Sequence, residues 1–96
     1  MIEKEKVWYV RMDEKARAEV MSKELFRAHI DYLSEVATQR PFAGGGFKDA
    51  PGGMILFTAD SLDEAHKICT NDPIILEGYY RYDLKEWEVV LVSDRN

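Results

Sequence analysis

Apolar and polar positions along the 96-residue chain change period several times, and each change marks an element. The run Val7-Trp8-Tyr9-Val10-Arg11-Met12 concentrates β-branched and aromatic side chains, which suit a pleated surface buried on at least one face, and it predicts a first strand. From residue 13 to 21, charges mix with Ala16, Ala18 and Val20 without a clear period, as in a loop or a short irregular helix. The pattern then turns helical. Leu25, His29, Tyr32, Leu33 and Val36 recur at three- and four-residue intervals, while Lys23, Glu24, Arg27, Asp31, Ser34 and Glu35 fall largely elsewhere. The Ser22 hydroxyl can accept from a first-turn amide and Pro41 bars continuation, so the principal helix is expected over residues 22–39, with His29 on its core side.

Beyond it the sequence predicts a short glycine-rich strand over 41–47, a turn over 49–53 and a third strand over 54–59. Met54-Ile55-Leu56-Phe57-Thr58-Ala59 is apolar without alternation, which predicts a central strand buried on both faces. Ser61 and Glu64 stand at capping-box spacing and open a second helix, whose buried stripe is Leu62, Ala65, Ile68 and Cys69. Pro73 closes that helix by Asp72, leaving the acid at a helix C-terminus, and Gly78 permits a bend before Tyr79, Tyr80 and Tyr82. In the last strand Trp87, Val89 and Leu91 share one face, and Val90 and Val92 the other, ahead of a polar end over 93–96.

The order is β-α-β-β-α-β, an α+β protomer of ferredoxin-like type in which two helices cover one face of a four-stranded antiparallel sheet. The other face stays bare. Its apolar side chains predict a large exposed patch in a monomer, which a homodimer packing sheet on sheet would bury.

Composition narrows the function. The chain is long enough for one core, so residues 1–96 are expected to form a single domain. A net charge of −5, with Lys and Arg scattered among acids, disfavours nucleic acid and anionic membranes as partners. The charged start over 1–6 holds no apolar signal core and no run is long enough to span a bilayer, so a cytoplasmic location is expected. The single cysteine, Cys69, can form neither an internal disulfide nor a multi-thiolate metal site, which fits a reducing compartment.

Few residues carry candidate chemistry. His29 is either a core histidine satisfied by a carbonyl or a proton carrier, the role imidazole fills near neutral pH when an acid sets its tautomer. Asp72 is either a turn former bonded to nearby amides or that acid. At a helix C-terminus its charge would oppose the dipole and invite a donor such as His29. His66 and Cys69 border the second helix's buried stripe, but no further ligand cluster or oxyanion motif accompanies them. The glycines at 44, 45, 46, 52 and 53 match neither a dinucleotide fingerprint nor a P-loop, and suit tight turns or close backbone approach to a ligand. Tyr79, Tyr80, Tyr82 and Trp87 suit a dimer interface better than substrate stacking.

Taken in order, Arg27-Ala28-His29-Ile30-Asp31-Tyr32-Leu33, Ala43-Gly44-Gly45-Gly46-Phe47, Asp49-Ala50-Pro51-Gly52-Gly53, Ser61-Leu62-Asp63-Glu64-Ala65, Asp72-Pro73, Gly78 and Trp87 resemble the YCII-related proteins over residues 7–92. Gly46 stands where that family often has a proline. The resemblance implies a dimeric α+β barrel and a His-Asp pair carried onto His29 and Asp72. It further implies cofactor-free proton-transfer chemistry on a small ring compound, as in a dehydrochlorinase or a muconolactone isomerase.

The expectation is therefore a homodimeric enzyme in which His29 is the general acid or base and Asp72 orients it. The substrate is a small cyclic or aromatic molecule in a pocket bounded by Tyr32, Gly45, Gly46 and Phe47, with no metal and no cofactor required. Two rival readings stay open: a non-catalytic dimerising or ligand-sensing domain, and a cofactor-independent monooxygenase of the same barrel architecture.

Overall fold

The computed structural model describes residues 7–93, so the charged start over 1–6 and the last three positions of the polar end lie outside the described residues. The elements are β1 (Val7–Lys15), α1 (Lys23–Ala37), β2 (Phe42–Gly46), β3 (Gly53–Thr58), α2 (Leu62–Thr70), α3 (Pro73–Leu76) and β4 (Tyr80–Glu88). The strands form one sheet in the order β2-β3-β1-β4, and every neighbouring pair is antiparallel. This is the ferredoxin-like arrangement with one added helical turn.

Both long helices start as their side chains dictate. Ser22 accepts from the Leu25 amide at 3.0 Å, and Ser61 accepts from the Glu64 amide at 3.1 Å, each satisfying a donor the helix cannot. Glu64 reaches back to the Asp60 amide at 2.6 Å, one residue ahead of the cap. That bond is the chief reason its carboxyl is held below the ordinary range, with Arg40 adding to it.

Register decides which strand residues face the helices. Tyr9 pairs with Phe57, and Arg11 with Ile55 and Leu84. Because strand side chains alternate, Tyr9, Arg11, Asp13, Ile55, Phe57, Phe42, Tyr82 and Leu84 share one face. The core lies there: Tyr9, Ile55, Phe57, Ala65 and Cys69 are buried together, with Leu33, Phe42, Ile68, Tyr82 and Leu84 packed against them. On the opposite face Met12, Met54 and Trp87 are exposed, Val10 and Leu56 are half-buried, and Trp8 is nearly fully buried. β4 gives that face Arg81, Asp83 and Lys85, so one edge of it is charged.

Several expectations need correction. Residues 13–15 are strand, because β4 pairs with β1 as far as Lys15 opposite Tyr80. β3 is buried on one face within this chain: Ile55 and Phe57 are covered, while Met54 and Leu56 lie on the open side. Leu62, expected in the α2 stripe, is exposed. The last strand begins at Tyr80 and ends at Glu88, so residues 89–92 lie past the sheet. Finally, α2 stops at Thr70 and Pro73 does not simply end it. Proline has no amide to lose at the first helical position, and it opens the single turn α3 with Asp72 as N-cap.

Candidate active site

Three elements deliver four polar side chains to one place under the helices. β1 contributes Arg11 and Asp13 by its period of two, α1 contributes His29 from its inner face, and the α2–α3 corner contributes Asp72. Gly78, at φ 78°, lets the chain leave α3 and turn into β4, since a side chain there would meet its own backbone.

Asp72 is fully buried and completely engaged. One oxygen accepts from the Ile74 amide at 3.1 Å, which is the N-cap bond of α3. Arg11 Nη1 lies 3.0 Å from Oδ2, and His29 Nδ1 lies 2.9 Å from both oxygens. Asp72 thus sits at the favourable end of a helical turn, the reverse of its expected place at a helix C-terminus.

Arg11 is the residue that sequence reasoning missed. It is 1% exposed, and it grips Asp13 through Nε to Oδ1 at 2.6 Å and Nη2 to Oδ2 at 2.9 Å, while its third nitrogen serves Asp72. Burial opposes its charge, but hydrogen bonding and attraction from Asp13, then Asp72, prevail and raise it above its ordinary value. One signal could have found it. Arg11 and Asp13 occupy the same inward parity as Tyr9, and a charge at an inward strand position needs a buried partner.

One cation and two carboxylates leave a surplus negative charge under the helices, which a protonated His29 would cancel. A carboxylate has no proton to donate, so Asp72 selects the imidazole tautomer with hydrogen on Nδ1 and leaves the Nε2 lone pair available. His29 keeps 13% of its side chain exposed whereas Asp72 keeps none, so the ring is the only member of this pair that solvent reaches.

His29 opens on a cleft of about 980 Å³ between α1 and the β2–β3 end of the sheet. Its walls include Phe26, Ile30, Leu33, Phe42, Met54, Ile55, Ile74 and Tyr80, with Gly44, Gly45, Gly46, Gly52 and Gly53 along the strand side. Gly53 has a positional reason: a Cβ there would stand 2.6 Å from the Gly45 carbonyl oxygen. The expected wall residues divide. Gly45 and Gly46 border the cleft, Phe47 is exposed beyond it, and the Tyr32 hydroxyl donates to the Ile68 carbonyl at 2.7 Å. Burial, then the charge of Asp72, pushes the Tyr32 hydroxyl above its ordinary value.

The second histidine stands apart. His66 Nδ1 lies 2.8 Å from the Tyr82 hydroxyl at the surface, and Cys69 is buried in the core, where loss of solvent pushes its thiol up to about 12. Among the described residues no group of His, Cys, Asp and Glu is arranged to hold a metal, and no helix is long and apolar enough to cross a membrane.

In a search of solved structures, the chain is similar to the 5-chloro-2-hydroxyhydroquinone dehydrochlorinase TftG of Burkholderia phenoliruptrix AC1100, solved with 2,5-dihydroxybenzoquinone. The TM-score is 0.61 at 23% identity, covering 84% of this chain and 92% of that one, a likeness of fold. Among curated proteins it is 35% identical over 74 residues to the uncharacterized protein YjpA of Bacillus subtilis (strain 168), covering 76% of this chain and 87% of the relative. Residues 7–88, nearly all of the described structure, match the YCII-related domain, and the chain belongs to the YCII-related family.

Proposed function

We propose that the protein is an acid/base enzyme acting on a small cyclic or aromatic molecule, with His29 as the proton carrier and Asp72 behind it. The observation that carries this reading is the pairing of His29 Nδ1 with both oxygens of a buried carboxylate at 2.9 Å while the same ring borders an open cleft. A histidine kept only for structure has no need of that cleft. In the proposed step, Nε2 takes a proton from a ring C–H or O–H, and the imidazolium is stabilised by Asp72. The electron pair left behind forms a new π bond. Either an existing π bond at the neighbouring carbon breaks and its displaced pair takes the proton back at another atom, an isomerisation, or the bond from that carbon to a leaving group such as chloride breaks and the chloride departs with the pair, an elimination. The fold relative supports this class of chemistry, being named for removing chloride from a hydroxyhydroquinone.

Arg11 and Asp13 act through Asp72. Two hydrogen bonds hold the guanidinium against Asp13, so its remaining nitrogen fixes the position of the carboxylate that faces His29.

The test is anaerobic incubation with hydroxyhydroquinones, chlorinated phenols and lactones in deuterated water, following deuterium uptake and product. His29→Ala should lower the rate by ~10²–10⁴-fold. Full activity in that variant would sink the reading, and turnover without oxygen would dismiss the monooxygenase.

A homodimer belongs to the same proposal. Met12, Met54 and Trp87 expose apolar surface on the sheet face that no helix covers, and Val10 and Leu56 extend it. Packed sheet on sheet, two copies would bury this centre and leave Arg81, Asp83 and Lys85 toward a solvated rim. Sedimentation equilibrium should return twice the chain mass, and Met12→Lys should shift it toward the monomer. A wild-type monomer at all concentrations would refute the dimer.

A further inference from the structure

The charges around the cleft do not match the charge of the whole chain. The protein carries −5, which by itself repels anions. Five Lys and Arg side chains among the described residues make no ion pair: Lys15, Lys23, Arg27, Lys48 and Lys67. Three of these, Lys15, Lys23 and Arg27, border the cleft beside His29. The acids that border it are already engaged, Asp13 by two hydrogen bonds from Arg11 and Glu19 by Arg17 at 3.5 Å.

Two of the three cations also face repulsion within their own helix. Lys23 is the first residue of α1, the positive end of that helix, where a cation is disfavoured. Arg27 follows four residues later on the same side, so the two like charges repel. A bound anion would relieve both effects.

We infer that the cleft takes a small organic anion, a ring bearing a carboxylate, whose acidic group is held at the lip by Lys15, Lys23 and Arg27. This rests on the reading of the cleft as the place of reaction. The ring lies on Phe26, Ile30, Leu33 and Phe42, and the charges orient it. The buried surplus negative charge of Asp13, Asp72 and Arg11 repels the carboxylate from the floor. The end of the ring remote from the acid is therefore presented to His29.

Salicylate and its uncharged counterpart salicylamide, two probes of nearly equal shape, separate charge from fit. Calorimetric or NMR titration of the wild type should show salicylate binding on the order of tenfold more tightly than salicylamide, with the gap narrowing as salt is raised. In the triple variant Lys15→Gln, Lys23→Gln, Arg27→Gln the two probes should bind alike, and its thermal melt reports that the fold is intact. Equal affinity in the wild type, no measurable salicylate binding, or a preference that survives the triple substitution would each overturn the inference. The acid/base reading fails separately, by turnover persisting in His29→Ala. That variant should retain the salicylate preference, because its lip is untouched.

Discussion

The two histidines of this chain stand in surroundings that look alike on a contact map and differ in chemistry. Each has an aromatic ring close by, Phe26 at 5.9 Å from His29 and Tyr82 at 5.8 Å from His66, and each has an Nδ1 partner within 2.9 Å. At His66 the partner is a neutral hydroxyl at the surface, and the nearby thiol of Cys69 is closed into the core. At His29 the partner is a carboxylate with no exposed surface, backed by a buried guanidinium, and the ring opens on a cleft. A short hydrogen bond is common to both. What separates a candidate site from a surface contact is a desolvated charge behind the imidazole and an open volume in front of it.

The largest effect that probes this contrast is on stability at the buried carboxylate. Asp72→Ala strands Arg11 and His29 and removes the cap of α3, and it should cost about 3–5 kcal/mol in urea denaturation. His66→Ala should cost far less by the same measurement. Equal losses would erase the distinction.

Cys69 sharpens the contrast from the other side. With its thiol pushed up to about 12, the native protein holds very little thiolate at pH 8, so alkylation should run on the order of a thousandfold slower than in denaturant. Rapid modification of the folded protein by iodoacetamide would return Cys69 to the list of reactive groups.

The smallest effect concerns Glu64, at the start of the helix that carries His66. Its carboxyl is held below the ordinary range chiefly by the Asp60 amide, so its contribution is present above the unfolded value and is lost as pH falls through the folded one. The difference in Tm between wild type and Glu64→Gln should therefore shrink from pH 7 toward pH 3. A gap that widens on acidification would contradict that assignment.

Periodicity and capping chemistry made most of the fold legible. Ser22 and Ser61 marked the starts of both long helices, because a cap is a local event between a hydroxyl and an amide a few residues on. The corner at Asp72 was misread for a related reason. Pro73 is equally suited to ending one helix and to starting the next, and only the packing of α3 against α1 and β4 selects the second role. β1 ran longer than its apolar run because strand length is set by the partner, and β4 continues to pair through Lys15.

By itself the sequence determined the ferredoxin-like order of elements and the helix face that carries His29, since both follow from spacing within a segment. The joining of His29 to Asp72 was inferred through family likeness, and no local rule reaches across the intervening residues. Only the tertiary structure decided that Arg11 lies between Asp13 and Asp72, that Asp72 caps a helix instead of ending one, and that His29 shares a cleft with Lys15, Lys23 and Arg27. Charge networks and cavities are made where separate elements meet, and their geometry is fixed by sheet register and helix packing, which a one-dimensional pattern does not contain.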